Sequence, residues 1–236
     1  AKNNSNRWLI TLKDLSNKTL GIIHASIITT QAVKPYIEKI IPEVKIMHVV
    51  DDTIQRDNIA AGVGVIPKVN YYKFAQYAHN LEEAKVDLIM LACSTFNYAA
   101  ELARPMINTP IVQIDGPMME QAVQMGKRIG LLATLATTVP SSERLLKIAA
   151  AEAGKEIEIN TVLCSEAFEE YEKGNIEKHN EILFDSIDKL SKSVDVIVMA
   201  QLSMSALAPY LTNTRVPVLN SGTTGFERVR QLLENM

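Results

Sequence analysis

The chain has 236 residues, 47% hydrophobic and 22% charged, with a net charge of −3 at pH 7. That is enough chain for a sizeable core, while the absence of any Lys/Arg stripe excludes a phosphate-backbone footprint and so nucleic acid as a partner. No apolar run reaches the ~20 residues of a bilayer span, the polar start from Ala1 to Trp8 lacks a signal-peptide core, and two cysteines, Cys93 and Cys164, form neither a disulfide framework nor a zinc spacing. A reducing cytoplasm is the expected compartment, with no membrane partner.

In chain order, Trp8-Leu-Ile-Thr-Leu is an apolar stretch that reads as an extra edge strand or a cover over the fold. Leu20–His24 is the first expected core strand and runs into Thr29-Thr30. Val44–Val50 is the second, and Asp51-Asp52-Thr53 after it reads as a helix start with Asp or Thr as N-cap. Gly62 and Gly64 lack the third glycine and the Lys-Ser/Thr pair of a phosphate loop. Pro67–Ala84 is amphipathic, Val86–Ala92 is a strand ending at Cys93, and Pro110–Ile114 is another. Ile129–Ala133 leads into Thr134–Thr138, and Ser141–Ala153 is a helix stopped by Gly154. Ile157–Leu163 ends at Cys164. Gly174 precedes the amphipathic stretch Ile176–Lys192, Val194–Ala200 ends at Gln201, and Pro217–Leu219 is the last strand. Val- and Ile-rich runs alternating with amphipathic stretches predict buried parallel strands with right-handed crossovers.

The chain also repeats itself. Val86-Asp-Leu-Ile-Met-Leu-Ala-Cys93-Ser-Thr95 matches Val194-Asp-Val-Ile-Val-Met-Ala-Gln201-Leu-Ser203, and each is followed by a short helix and a proline-led strand. Leu20-Gly-Ile-Ile-His24 matches Ile129-Gly-Leu-Leu-Ala133 in the same register, each followed by a threonine pair. The expected fold is therefore α/β, with two pseudo-symmetric, doubly wound parallel-sheet domains and the active site in the cleft between them. The expected division is residues 1–115 plus 221–236 against residues 116–220.

Ligands of such sheets bind beyond the carboxyl ends of the strands, where helix starts favour an anion. That brings His24–Ser26, Cys93–Thr95, Thr134–Thr138 and Gln201–Ser203 to one cleft, suited to a carboxylate. Cys93, at a strand end before a helix, is a candidate thiolate base or nucleophile. Cys164 has no repeat partner and reads as structural. Ser94, Thr95, Thr134, Thr137, Thr138 and Ser203 are candidate carboxylate-binding hydroxyls, with helix capping the alternative for Thr138 and Ser203. His24 is a candidate proton shuttle, or simply a hydrogen-bonded histidine. Arg56 is a candidate anion contact, or a surface arginine.

With these motifs the chain resembles the aspartate/glutamate/hydantoin racemase superfamily from about Leu20 onward. Leu91-Ala-Cys93-Ser-Thr95 is similar to its first cysteine motif, and Ile129–Thr138 to its threonine-rich carboxylate-binding turn. The resemblance implies two cysteines facing the substrate carbon, but Gln201 stands where the second is expected. Gln cannot ionise, so two-base thiol racemisation loses a partner. The resemblance implies an isomerase of amino acids or related acids, without metal or organic cofactor, acting on a small carboxylate substrate as a homo-oligomer. Cys93 would move the proton at the α-carbon, Thr95, Thr134 and Thr138 would hold the carboxylate, Gln201 would bond the other face, and His24 would tune Cys93 or relay its proton. A single-thiol arylmalonate-type decarboxylase, a maleate-type cis-trans isomerase and a non-catalytic carboxylate-binding protein are the alternatives.

Overall fold

The computed structural model describes residues 13–236, so the Trp8–Leu12 stretch lies outside the described residues. Two four-stranded parallel sheets organise it. In the first, β1 (Thr19–His24) is flanked by β2 (Lys45–Val50) and β3 (Leu88–Leu91), and β3 pairs with β4 (Ile111–Gln113). The second repeats that order with β5 (Arg128–Ala133), β6 (Glu158–Leu163), β7 (Val196–Met199) and β8 (Val218–Asn220). Leu88-Ile-Met-Leu and Val196-Ile-Val-Met are buried on both faces, as inner strands covered by helices on each side must be. Edge strands β2 and β6 are partly exposed and carry Lys45, His48, Glu158 and Asn160.

Each sheet is sandwiched. On the first, α2 (Asp52–Ala61), α3 (Lys68–Glu83) and α4 (Tyr98–Ala103) cover one face through Ile54, Phe74 and Ala100, and α1 (Ile28–Ile40) covers the other. On the second, α5 (Gly116–Met125) and α6 (Val139–Glu152) cover one face, with α7 (Ser165–Glu172) and α8 (Ile176–Leu190) on the other. The last helix, α9 (Ser221–Glu234), returns to the first sheet, where Phe226, Val229 and Leu233 join Leu20, Ile22 and Met90. Thus β4 sends its following helix to the second sheet and β8 sends its own to the first. The halves are interlocked by this exchange.

The repeat has a packing cause. A Cβ on Gly21 of β1 would lie 2.7 Å from the Leu81 side chain of α3, and one on Gly130 of β5 would lie 2.8 Å from that of Leu190 of α8. Glycine lets one helix settle onto the centre of each sheet. The repeated Val-Asp pair is used alike: Asp87 accepts the Thr19 N–H at 2.8 Å, and Asp195 accepts that of Arg128 at 2.8 Å. Gly154 and Gly174 sit just past α6 and α7 with φ of 63° and 79°, the left-handed conformation that ends a helix. Among the described residues no helix is long and apolar enough to cross a membrane.

Candidate active site

The four inner strand ends converge between the sheets. Ser26 and Thr29 follow β1, Cys93–Thr95 follow β3, Leu135 and Thr138 follow β5, and Gln201–Ser203 follow β7; all line one small cavity of about 70 Å³. Gln55 of α2 and Phe168 and Tyr171 of α7 also line it, and among the described residues no Lys, Arg, Asp or Glu does. A second, larger groove of about 890 Å³ adjoins it and shares Ile28, Tyr171, Leu202 and Ser203. Ligand pockets usually measure ~300–1,000 Å³, so the inner cavity by itself is small for a ligand site and the adjoining groove extends it. Among the described residues no group of three or more His, Cys, Asp or Glu is arranged to hold a metal ion.

Cys93 is 8% exposed. Burial pushes its thiol up to about 11, while the backbone N–H groups of Thr95 and Phe96 act the other way and the Asp115 carboxylate adds to the rise. The helix-start effect expected from the sequence is therefore present, but desolvation outweighs it. The resting thiol is protonated.

The two halves meet at hydroxyls. Thr95 Oγ1 and Thr138 Oγ1 are 3.1 Å apart, and behind them Ser141 Oγ donates to Asn97 Oδ1 at 2.9 Å. Arg144 of α6 forks onto Glu101 of α4 at 2.9 and 2.6 Å and lies 4.1 Å over the Tyr98 ring. These bonds fix the distance across the cavity. Between the two candidate threonines the backbone decides: Thr138 lines the cavity, whereas Thr137 does not, and its buried hydroxyl has no partner among the described residues.

Gln201 is held rigidly. Its Oε1 accepts the Thr134 N–H at 2.6 Å, the Thr134 hydroxyl at 3.0 Å and the Leu135 N–H at 3.1 Å. Two of these donors are backbone N–H groups, so only the amide oxygen can face them. Gln201 thus occupies the anion-favouring strand end of the second half with its own side chain. Thr134 is consumed in this contact, is 1% exposed, and does not line the cavity.

Like Thr134 and Thr137, His24 and Arg56 lie off the cavity. His24 is fully buried and turned away from the cavity: Nδ1 is 2.7 Å from Thr29 Oγ1 and Nε2 is 2.9 Å from His48 Nδ1. Thr29 spends its hydroxyl proton on the Ser26 carbonyl, so His24 Nδ1–H donates to Thr29 and His24 Nε2 accepts from His48. Burial, then His48, lower its pKa to about 4, so His24 is neutral and its protons are committed. Arg56 faces solvent and pairs with its neighbour Asp57 at 2.8 Å, because α2 turns Gln55 to the cavity instead. Asp51 caps that helix, accepting the Thr53 N–H at 3.0 Å. Cys164 lies off the cavity with its thiol 3.1 Å from Ser186 Oγ.

Sequence reasoning missed Asp115, which is fully buried at the end of β4 and accepts the Ser94 hydroxyl at 3.1 Å. The signal was available, since Ile111-Val-Gln-Ile-Asp115 is also a strand end. Phe168, Tyr171 and Gln55 reach the cavity from helices, and nothing in their local sequence marks them.

The profile of Asp/Glu/Hydantoin racemase matches residues 20–229. The chain belongs to the Asp/Glu/hydantoin racemase family. Among solved structures, the chain is similar to an aspartate racemase homologue from Pyrococcus horikoshii at 20% identity and a TM-score of 0.69, covering 92% of this chain and 99% of that one. A glutamate racemase from Bacillus anthracis matches at 13% identity and a TM-score of 0.68, over 93% and 83% of the respective chains. Allantoin racemase from Klebsiella pneumoniae matches at 20% identity and a TM-score of 0.67, over 92% and 87%. At these identities the structural likeness establishes the shared two-sheet fold. No curated protein sequence matches. Within this family, Gln201 occupies the second strand-end position of the repeat.

Proposed function

We propose that this chain is a cytoplasmic, cofactor-independent racemase or epimerase that moves a proton at the carbon α to a carboxylate. The observation that carries the reading is the meeting of Cys93 with the paired hydroxyls of Thr95 and Thr138 at a cavity between the two sheets. The backbone N–H groups of Thr95 and Phe96 favour negative charge at the same strand end. Hydroxyl and N–H donors aimed at one place stabilise an enolate-like intermediate without neutralising the substrate by a full countercharge. Cys93 takes or returns the α-proton from its side. The second half contributes Thr138, Gln201, Ser203 and Tyr171 to the cavity, and Gln201 serves as a hydrogen-bonding group rather than a base.

A second reading is favoured by the locked Gln201 and the withdrawn His24. With Cys93 as the one thiol among the described residues lining the cavity, it can protonate an enolate formed by decarboxylation, or add covalently in a cis-trans isomerisation. Proton NMR in D₂O with amino, hydroxy and substituted malonic acids separates these. Deuterium entering the α-position with loss of optical rotation is expected for the first reading. Product that has lost CO₂, labelled on one face, supports the second. α-Exchange that persists in Cys93→Ala would overturn both.

A further inference from the structure

The cavity at Cys93 and the groove outside it differ greatly in size. The first measures about 70 Å³ and the second about 890 Å³, and Ile28, Tyr171, Leu202 and Ser203 line both. A reacting carbon and its carboxylate are small groups, whereas a site of ~300–1,000 Å³ holds most of a drug-sized molecule. Most of a ligand that fills this space therefore lies in the groove.

One wall of the groove is a single face of α1. Ile28, Gln31, Ala32, Pro35, Tyr36 and Lys39 follow one another along the helix so that each lies three or four residues from another, which puts them in one stripe. At ~1.5 Å per residue the stripe runs about 16 Å, from the cavity at Ile28 to Lys39. The facing wall is the 3₁₀ segment Leu202–Tyr210, which contributes Ser205, Ala206, Ala208 and Pro209. The two walls are tied. Tyr36 donates its hydroxyl to the Ser205 carbonyl at 3.0 Å, and its ring stacks on Phe226 with centroids 6.1 Å apart. Gly222 makes room for that ring, since a Cβ there would collide with it. At the inner end Tyr171 rests against His179, with ring centroids 5.2 Å apart. A groove braced in this way is formed before a ligand arrives, so binding loses little to ordering it.

Charge limits what the groove accepts. Lys39 is the one charged side chain among the described residues that line it, and it stands exposed at the far end. The inner cavity has no charged side chain among its described lining residues either, so a second carboxylate close to the α-carbon meets no cation. Between the cavity and Lys39 the walls present mainly Ala, Pro, Leu and Tyr.

We propose that the groove along α1 is the subsite for the substrate's substituent, and that the substrate is a 2-substituted carboxylic acid bearing a long, mainly apolar alkyl or arylalkyl chain. The carboxylate and α-carbon lie beside Cys93, Thr95 and Thr138. The chain leaves past Tyr171 and Leu202 and lies between α1 and the 3₁₀ segment. The inference rests on the proposed function for the position of the carboxylate, but its test needs no turnover.

The test is calorimetric binding of straight-chain carboxylates from acetate to decanoate. Affinity should rise about tenfold for every two methylenes added, because each buried methylene contributes a similar increment. Bound decanoate should also protect Cys93 from iodoacetamide, read by mass spectrometry so that Cys164 is counted separately. Ala206 is exposed on the groove wall, so tryptophan there fills the groove without crowding the core. Ala206→Trp should flatten the series. A flat series in the wild-type chain overturns the proposal whether or not the variant folds. Decanoate that binds without protecting Cys93, or a rising series that Ala206→Trp leaves unchanged, overturns it equally. Cys93-dependent α-exchange beside a flat series would leave the proposed function standing and remove only the subsite. A steep series with protection, beside no α-exchange in 2-amino or 2-hydroxy acids of matching chain, would do the reverse.

Discussion

Gln201 turns its amide oxygen onto the backbone N–H of Thr134, 2.6 Å away, and so fills with its own side chain the strand end that pairs with the Cys93 strand end in the repeat. The contact also takes the Thr134 hydroxyl and the Leu135 N–H. A leucine at 201 has similar bulk but no acceptor, leaving two N–H groups and a hydroxyl to bear the loss. Gln201→Leu should therefore cost about 2 kcal/mol or more. Gln201→Glu supplies an oxygen to the same donors and should recover most of that at neutral pH, with its stability falling as the new carboxylate is protonated. Urea unfolding at several pH values measures both. A leucine variant as stable as wild type would show that the three bonds hold nothing.

Thr95 and Thr138 join the halves through a single hydroxyl pair, and both face the cavity. Replacing Thr138 by the isosteric valine removes the donor that the proposed function assigns to the substrate carboxylate, while sparing the packing. A hydrogen bond to a charged group contributes about 1.5–3 kcal/mol, so kcat/KM should fall by roughly tenfold or more. Thr137→Val removes a buried hydroxyl that has no partner among the described residues. It should leave kcat/KM unchanged and stability equal or slightly higher. Equal effects at the two positions would contradict the assignment of Thr138 to the cavity.

The strands were legible because central parallel strands are apolar on both faces, and Gly21 and Gly130 revealed themselves by falling at the same place in two copies. Cys93 and Gln201 could be placed at one cleft for the same reason: a repeat converts sequence register into spatial symmetry. Side-chain direction is another matter. His24 was assigned to the cavity by its strand end, but the chain gave no warning that His48, one strand over, would capture its ring. Arg56 and Gln55 are neighbours on α2, and only the helix phase decides which one faces inward. Asp115 is harder to read because its strand belongs to the repeat only through its proline.

Arg56 gives a direct check on that helix phase. Its side chain is 71% exposed and its partner is Asp57, the next residue in the chain. An exposed pair of this kind contributes little. Arg56→Ala should leave kcat/KM and unfolding midpoint unchanged, while Gln55→Ala alters KM. A large loss of activity in Arg56→Ala would mean that the arginine swings inward when substrate binds.

His24 sets an acid limit on the fold. Its pKa is lowered to about 4 by burial and by His48, below the ordinary value of 6.5. A depressed histidine is held neutral in the folded chain, whereas the unfolded chain takes up the proton first as pH falls. Its contribution is thus fully present above about pH 6.5 and is lost progressively as pH falls toward 4, by up to about 3 kcal/mol. Asp115 acts oppositely across much of the same range: raised to about 7, it favours the folded chain at low pH and loses that advantage as pH rises from about 4 to 7. Wild-type stability between pH 4 and 7 is therefore the difference of two slopes. His24→Gln removes one of them and keeps a donor and an acceptor for Thr29 and His48. It should start less stable at pH 7, and then gain stability as pH falls to 5 relative to the wild-type chain. Thermal unfolding across this range reads the divergence, and parallel curves for the two chains would show that His24 is not held neutral by the fold.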